Sequence, residues 1–200
     1  MNTIVLIDGQ NLFYGAKRAW TPPHPALPSP YEWPSYDVEK LADALATKTP
    51  GRVLSEIRFY TGVPNRNGGT SQRFWHDFWS SKLRYLNNKG IYTYRGAINT
   101  GRQEKGVDVS LALDLIQATY EERYEVAIIV SQDTDFGPAV KLARQVGAGQ
   151  NRKLYFESAF PLGPSTTYTR GIPGTTWVPI DQATYDACLD PRDYRPHRSP

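Results

Sequence analysis

The sequence contains a single cysteine, Cys188, among its 200 residues, which excludes a disulfide framework and a cage of thiolate metal ligands. It also lacks a long apolar run, since no stretch approaches the roughly 20 residues that a membrane-spanning helix needs. The opening segment MNTIVLIDGQ is apolar only briefly before Asp8 interrupts it. That is too short for the apolar region of a secretory signal, and it has no basic lead-in. The expectation is a cytoplasmic chain with no membrane partner. Charge of one sign is not in large excess: the net charge is +3, too little to specify a nucleic-acid partner, so the distribution of charge matters more than its sum.

What is present fits one α/β domain. Hydrophobic residues make up 40% and charged residues 22%, as in soluble globular proteins, and the length suffices to bury a real core. Ile4 to Ile7 reads as a buried strand ended by Asp8-Gly9, with a short helix from about Asn11. The Pro-rich stretch at 21–34 can be neither helix nor central strand. Ser35 is the expected cap of a helix whose apolar face is Val38, Leu41, Ala42 and Leu45. Val53 to Tyr60 reads as a second strand, and residues 71–88 as a helix with Trp75, Phe78, Trp79, Leu83 and Leu86 at helical spacing on the sheet, the three aromatics in the core, and Arg73, Lys82 and Arg84 left for solvent. Further strands are expected at Ile91–Arg95, Glu125–Val130 and Lys153–Phe156, and helices at Val107–Glu122 and Phe136–Val146. A long loop spans 158–176, TTWVPI can add an edge strand, and the C-terminal tail is 184–200, whose end DPRDYRPHRSP is expected to fray. Helices alternating with wholly apolar strands predict a three-layer α/β/α, Rossmann-like domain over 1–183, with a mostly parallel sheet of five or six strands.

In such folds ligands bind at the carboxyl ends of the strands, and this selects the acids that can meet. Asp8 follows the first strand, Asp133 follows EVAIIV in VSQDTDF, and Asp108 opens a helix after the third strand. Asp135 lies close behind. Asp114 sits six residues beyond Asp108, roughly 9 Å along the helix axis, and is expected to satisfy a buried polar partner or face solvent. Each acid could singly be a turn residue or a helix cap. Together they are costly, because two carboxylates 4 Å apart repel by about 4 kcal/mol at an effective dielectric of 20. A hard divalent ion resolves that conflict, and Mg²⁺ needs only one or two carboxylates beside its waters. No histidine falls in these motifs, which counts against zinc.

The segments IVLIDGQNLF, KGVDVSLALDL and IIVSQDTDFGPAV resemble, in order, the three signature segments of the NYN domain family, the PIN-like ribonuclease group that includes the bacterial LabA-like proteins. The match spans about residues 3 to 157. The resemblance implies a PIN-like fold and a Mg²⁺- or Mn²⁺-binding site of Asp8, Asp108 and Asp133, supported by Asp135. It also implies that Asn11 positions the site, and that Ser131 and Lys105 occupy family positions. The Pro-rich insertion and the loop after Phe156 are longer than the pattern.

Basic residues on the same rim include Lys17, Arg18, Arg66, Arg73, Arg95, Arg102 and Lys105. Of these, Lys105, Arg102, Arg66 and Lys17, with Ser131, are the candidate substrate contacts, since phosphate contacts give affinity without sequence information. Phe13, Tyr14, Trp20, Tyr31 and Trp33 could stack on unpaired bases or pack the insertion onto the domain. The leading expectation is an endoribonuclease acting on single-stranded or structured RNA. A DNA or flap nuclease shares its chemistry, and a non-catalytic RNA-binding or regulatory protein with a residual site belongs to a different class. A haloacid-dehalogenase-type phosphatase is disfavoured by Gln10, where that chemistry commonly needs a second aspartate. The oligomeric state stays open, a homodimer included.

Overall fold

Thr3 to Ile7 are wholly shielded from solvent, and they form the middle of the central strand β1 (Asn2–Asp8). In the computed structural model, which describes residues 1–21, 29–98 and 104–196, the chain continues through α1 (Gly9–Trp20), α2 (Val38–Thr47), β2 (Val53–Pro64), α3 (Thr70–Asn88), β3 (Tyr92–Ile98) and β4 (Glu104–Lys105). It then forms α4 (Val107–Tyr120), β5 (Val126–Val130), α5 (Gly137–Gly149), β6 (Tyr155–Pro161), β7 (Thr176–Ile180) and α6 (Gln182–Ala187). The sheet has seven strands in the order β4-β3-β2-β1-β5-β6-β7. All neighbours are parallel except the two-residue β4, which pairs antiparallel with β3. The six parallel strands agree with the mostly parallel sheet of five or six strands expected, and β4 adds a two-residue antiparallel edge.

Alternation along β1 divides the core. Val5 and Ile7 pack with α1, α2, α3 and Tyr185 of α6 on one face, while Ile4 and Leu6 pack with α4 and α5 on the other. Both faces are therefore covered, which is why the central strands read as continuous apolar runs rather than alternating ones. The chain leaves β1 towards β2 on one side and later returns to β5 on the other. The connections diverge between β1 and β5, and that divergence opens a crevice at the carboxyl ends of those strands.

Several local readings are corrected. Ser35 does not cap α2. Asp37 does, accepting from the Glu39 and Lys40 amides, while the Ser35 hydroxyl donates to the Pro30 carbonyl at 2.6 Å. Ser158 to Pro161 belong to β6, so the long loop begins after them. The C-terminal segment, expected to fray, is docked as far as Tyr194: Tyr185 is fully buried, and the Tyr194 ring meets Phe78 and Tyr85. From the Pro-rich insertion, residues 22–28 lie outside the described residues. Its flanks are anchored by Trp20 and Tyr31, whose rings meet each other and Tyr185.

One buried cation ties these additions to the domain. Lys82 of α3 is inaccessible to solvent, where a charge is costly unless compensated. Its ammonium donates to the carbonyls of Pro34 (2.8 Å) and Tyr36 (2.6 Å) and lies over the rings of Tyr36 and Tyr194. Burial lowers its pKa from 10.5 to about 8, with Asp190 and Asp37 opposing the shift. Between those values the unfolded chain binds the extra proton, so this group makes stability rise with pH through that window. Urea unfolding of wild type and Lys82→Met should show the wild type gaining on the variant by about 3 kcal/mol between pH 7 and pH 10.5. A constant difference would mean that Lys82 is not held in this environment.

Candidate active site

Asp8 ends the central strand and begins a helix. Its side chain caps α1, with Oδ1 accepting from the Asn11 amide at 3.0 Å, a bond that satisfies one of the orphan donors of the first turn. Gly9 follows because there is no room for more: a Cβ there would lie 2.5 Å from the Phe59 ring. The Tyr36 hydroxyl donates to the Gly9 carbonyl at 2.9 Å. Strand end, helix start and neighbouring strand thus fix the same few atoms.

Across the crevice, Ser131 follows β5. Its hydroxyl donates to Asp8 Oδ2 at 3.3 Å and accepts from the Asp133 amide at 3.1 Å. Asn11 Oδ1 accepts from the Gln132 amide at 3.2 Å. Asp133 Oδ1 accepts from the Asp135 amide at 2.9 Å, capping a 3₁₀ turn at Thr134–Phe136. The loop after β6 braces this segment. Gln132 Nε2 donates to the carbonyls of Tyr168 and Arg170, and the buried Ser158 hydroxyl donates to the Ser131 carbonyl at 2.7 Å. Asp108 enters from α4, whose first turn is preceded by Gly106 at φ 85°. That left-handed geometry favours glycine, and a Cβ there would also meet the Tyr94 hydroxyl at 2.7 Å.

Three acids therefore face one another across the rim in different degrees of exposure: Asp8 buried, Asp133 half-buried, Asp108 exposed. Burial pushes the Asp8 carboxyl up from 3.8 to about 7; Asp108 and Asp133 push it further, and the Asn11 amide and Ser131 hydroxyl partly offset the rise. The Asp108 carboxyl is also raised, by desolvation and then by Asp133 and Asp135. Asp114 is set apart, accepting from the Tyr60 hydroxyl at 2.7 Å and pairing with Arg58 at 3.1 Å. It is a structural acid, satisfied as expected.

The sequence model of the NYN domain matches residues 2–150. The chain belongs to the NYN domain family. NYN domains are a PIN-like nuclease family, and such nucleases typically use divalent metal ions. A protein of unknown function from Vibrio parahaemolyticus has the same fold, at 19% identity with a TM-score of 0.54, over 90% of this chain and 93% of its own. No curated protein matches this NYN domain.

The donor set suits Mg²⁺ or Mn²⁺ in kind, because the ionisable groups at this rim are carboxylates and such ions complete their shells with water. Among the described residues no three acids or imidazoles stand close enough to grip one ion together, so an ion here would take fewer carboxylates directly. The remaining candidates separate. Ser131 is 1% exposed and orients Asp8 and Asp133, so direct substrate contact is corrected to positioning. Arg66 pairs with Asp77 at 3.2 Å and lines a separate groove with Arg95 and His76. Lys105 is exposed on β4, and Arg102 lies outside the described residues. Lys17 lines a cavity beside α1 that also contains Trp75, a residue read from the sequence as core. Trp75 does pack on the core, partly buried, and the place of the first turns of α3 at the carboxyl rim was the available signal that it also faces this cavity. Gln132 and Ser158 gave no sequence signal, because their partners lie up to 38 residues away.

Because the folded-state pKa of Asp8 exceeds the unfolded one, the folded chain holds an extra proton between about pH 4 and 7, and stability falls as pH rises through that range. Asp8→Asn keeps an acceptor for the Asn11 amide but cannot ionise. In chelator, the variant should be more stable than wild type above pH 7, by at most about 4 kcal/mol, and the advantage should vanish near pH 4. Denaturant unfolding at the two pH values reads this directly.

Proposed function

We propose that this NYN domain is a metal-dependent endoribonuclease whose site is the rim formed by Asp8, Asp108 and Asp133. The observation that carries the reading is the environment of Asp8. It is a buried carboxylate with neutral donors and two neighbouring acids and, among the described residues, no basic side chain paired with it. A shielded acid retained for structure would be expected to have a cationic partner, as the half-buried Asp114 has in Arg58.

Within this reading Asp8 and Asp133 hold Mg²⁺ or Mn²⁺ and Asp108 contributes from the opposite loop, directly or through water, with Asp135 adding negative potential. A bound divalent ion would supply an activated water and stabilise charge on the phosphodiester. The chain's own part is preorganisation. The Ser131 hydroxyl fixes the Asp8 carboxylate, the Asn11 carboxamide holds the Gln132 amide, and the Gln132 and Ser158 bonds keep the Asp133 loop against the sheet. Lys105 and Lys17 offer phosphate contacts. RNA rather than DNA is favoured by membership of the family, and the protein is read as acting in the cytoplasm.

A second reading draws on the spread of the acids: a nucleic-acid-binding protein with a residual site. The two separate cleanly. With Mn²⁺ the purified protein should cut RNA, and Asp8→Asn and Asp133→Asn should each lose more than the roughly 10- to 100-fold that removal of an outer-shell partner costs. Equal cleavage by wild type and both variants would indicate a contaminant and end the proposal. RNA binding without cleavage, and no Mn²⁺ heat on titration, would establish the second reading. DNA of the same sequence, tested in parallel, decides the sugar preference. Ser131→Ala should fall within the 10- to 100-fold range, with weakened Mn²⁺ affinity measured by calorimetry; unchanged affinity would remove its positioning role.

A further inference from the structure

Between α1 and the first turns of α3 lies a cavity of about 400 Å³, within the roughly 300–1,000 Å³ typical of ligand sites. Its walls are aromatic: Phe13 and Tyr14 from α1, and Trp75 and Trp79 from α3. Tyr14 is 48% exposed at its lip, and the ring of Phe13 stands 4.9 Å from that of Tyr14 and 6.4 Å from that of Trp75. Polar groups converge on the same space, namely Gln10, Gln72, Ser71 and Lys17, with one acid, Glu32, also on its wall. Among the described residues no hydrogen bond or ion pair engages the side chains of Gln10, Gln72 or Lys17.

The position of the cavity is fixed by the site. Gln10 follows Asp8 by two residues on the helix that Asp8 caps. Tyr14 follows it by six, about 9 Å along the axis. Gln10 on the cavity wall is thus two residues from Asp8, and its neighbour Asn11 bonds the Gln132 amide beside Asp133. The chemistry asks for a flat π-system with hydrogen-bonding edges, attached to something anionic that Lys17 and a metal-loaded rim would attract. An apolar side chain would leave both carboxamides unanswered, and a duplex has no free base face to offer.

We infer that this cavity receives one unpaired nucleobase of a single-stranded polynucleotide, stacked against Tyr14 and Trp75, with Gln10 and Gln72 facing its hydrogen-bonding edge and the adjoining backbone led to the acidic rim. The inference rests on the nuclease reading for what happens at the rim, but base capture is measurable without cleavage. Stacking is tolerant of base identity, so the pocket selects single strands over duplexes rather than one sequence.

The test uses the full chain carrying Asp8→Asn, which prevents turnover, and fluorescence anisotropy with a labelled single-stranded 12-mer RNA. The comparison ligands are a blunt duplex of the same sequence and the same strand with all bases removed. Tyr14→Ala should weaken binding of the intact strand about fivefold or more, Tyr14→Phe should restore it, and Gln72→Leu should weaken it as well. Neither Tyr14→Ala nor Gln72→Leu should alter binding of the base-free strand or the duplex. Tyr14 is exposed, so loss of folding is not expected, and circular dichroism checks it. Equal losses on base-free and intact strands, or no loss from Tyr14→Ala, would overturn base capture. If wild-type protein fails to cleave while this pattern holds, the nuclease reading falls and the pocket stands. Cleavage with unaltered binding by Tyr14→Ala gives the reverse.

Discussion

The structure treats its shielded acids, the buried Asp8 and the half-buried Asp114, in two different ways, and the burial of Asp8 is the constraint around which the rest is arranged. Asp114 lies among an arginine and a tyrosine hydroxyl, the ordinary solution for a carboxylate that helps hold two layers together. Asp8 is more deeply placed, at the end of the central strand, and receives only an amide and a hydroxyl. Removing a carboxylate from water without a cation costs several kcal/mol or forces it to hold its proton. The fold nevertheless surrounds Asp8 with fixed groups: Gly9 against Phe59, Tyr36 on the Gly9 carbonyl, and Ser131 on its outer oxygen. A position specified from so many directions yet paired with no cation among the described residues costs stability, which is the feature on which the proposed metal site rests.

The same constraint explains the bracing behind it. Asp133 hangs from a loop, and a loop alone holds a side chain less well than a strand or helix. Here the loop is bonded on three sides, by Asn11 from α1, by Ser158 from β6, and by the Tyr168 and Arg170 carbonyls. The long segment after β6 thus works as a strut for the acidic rim. The Pro-rich insertion has a different task at its described ends. Its aromatic side chains and the Pro34 carbonyl join α3 and the C-terminal segment through Tyr31, Tyr185 and Lys82.

Much of this was legible in the residues. The strands announced themselves because both faces of a parallel sheet are covered, leaving runs such as VAIIV without polar interruption. Asp8, Asp108 and Asp133 could be placed on one rim because each directly follows a strand or opens a helix after one. Legibility failed where a polar residue finds its partner far away. Lys82 looks like a solvated residue on a helix, and only the folded chain brings the Pro34 and Tyr36 carbonyls to it from 48 and 46 residues away. Ser131 matched a motif but not a role, since burial decides whether a hydroxyl meets a substrate or an acid. The tail read as frayed because Pro, Asp and Arg dominate it, yet Tyr185 and Tyr194 supply enough aromatic surface to dock it.

Trp75 shows the limit of periodicity most clearly. Trp75, Phe78, Trp79, Leu83 and Leu86 share one helical stripe, and the stripe correctly predicts which face of α3 turns inward. It does not say where the sheet ends. Phe78 and Trp79 are buried, whereas one turn earlier Trp75 is only partly buried, packing on the core with part of its surface and lining, with Trp79, the cavity beside the ends of β2 and β3. The amphipathic stripe that stabilises a helix on a sheet is thus the same stripe that, extended past the carboxyl edge, gives an aromatic wall beside the acids. The pocket needs no separate element: α1 and α3 both begin at the carboxyl edge, and their first turns supply its aromatic wall beside the last residues of β2 and β3, Pro64 and Ile98.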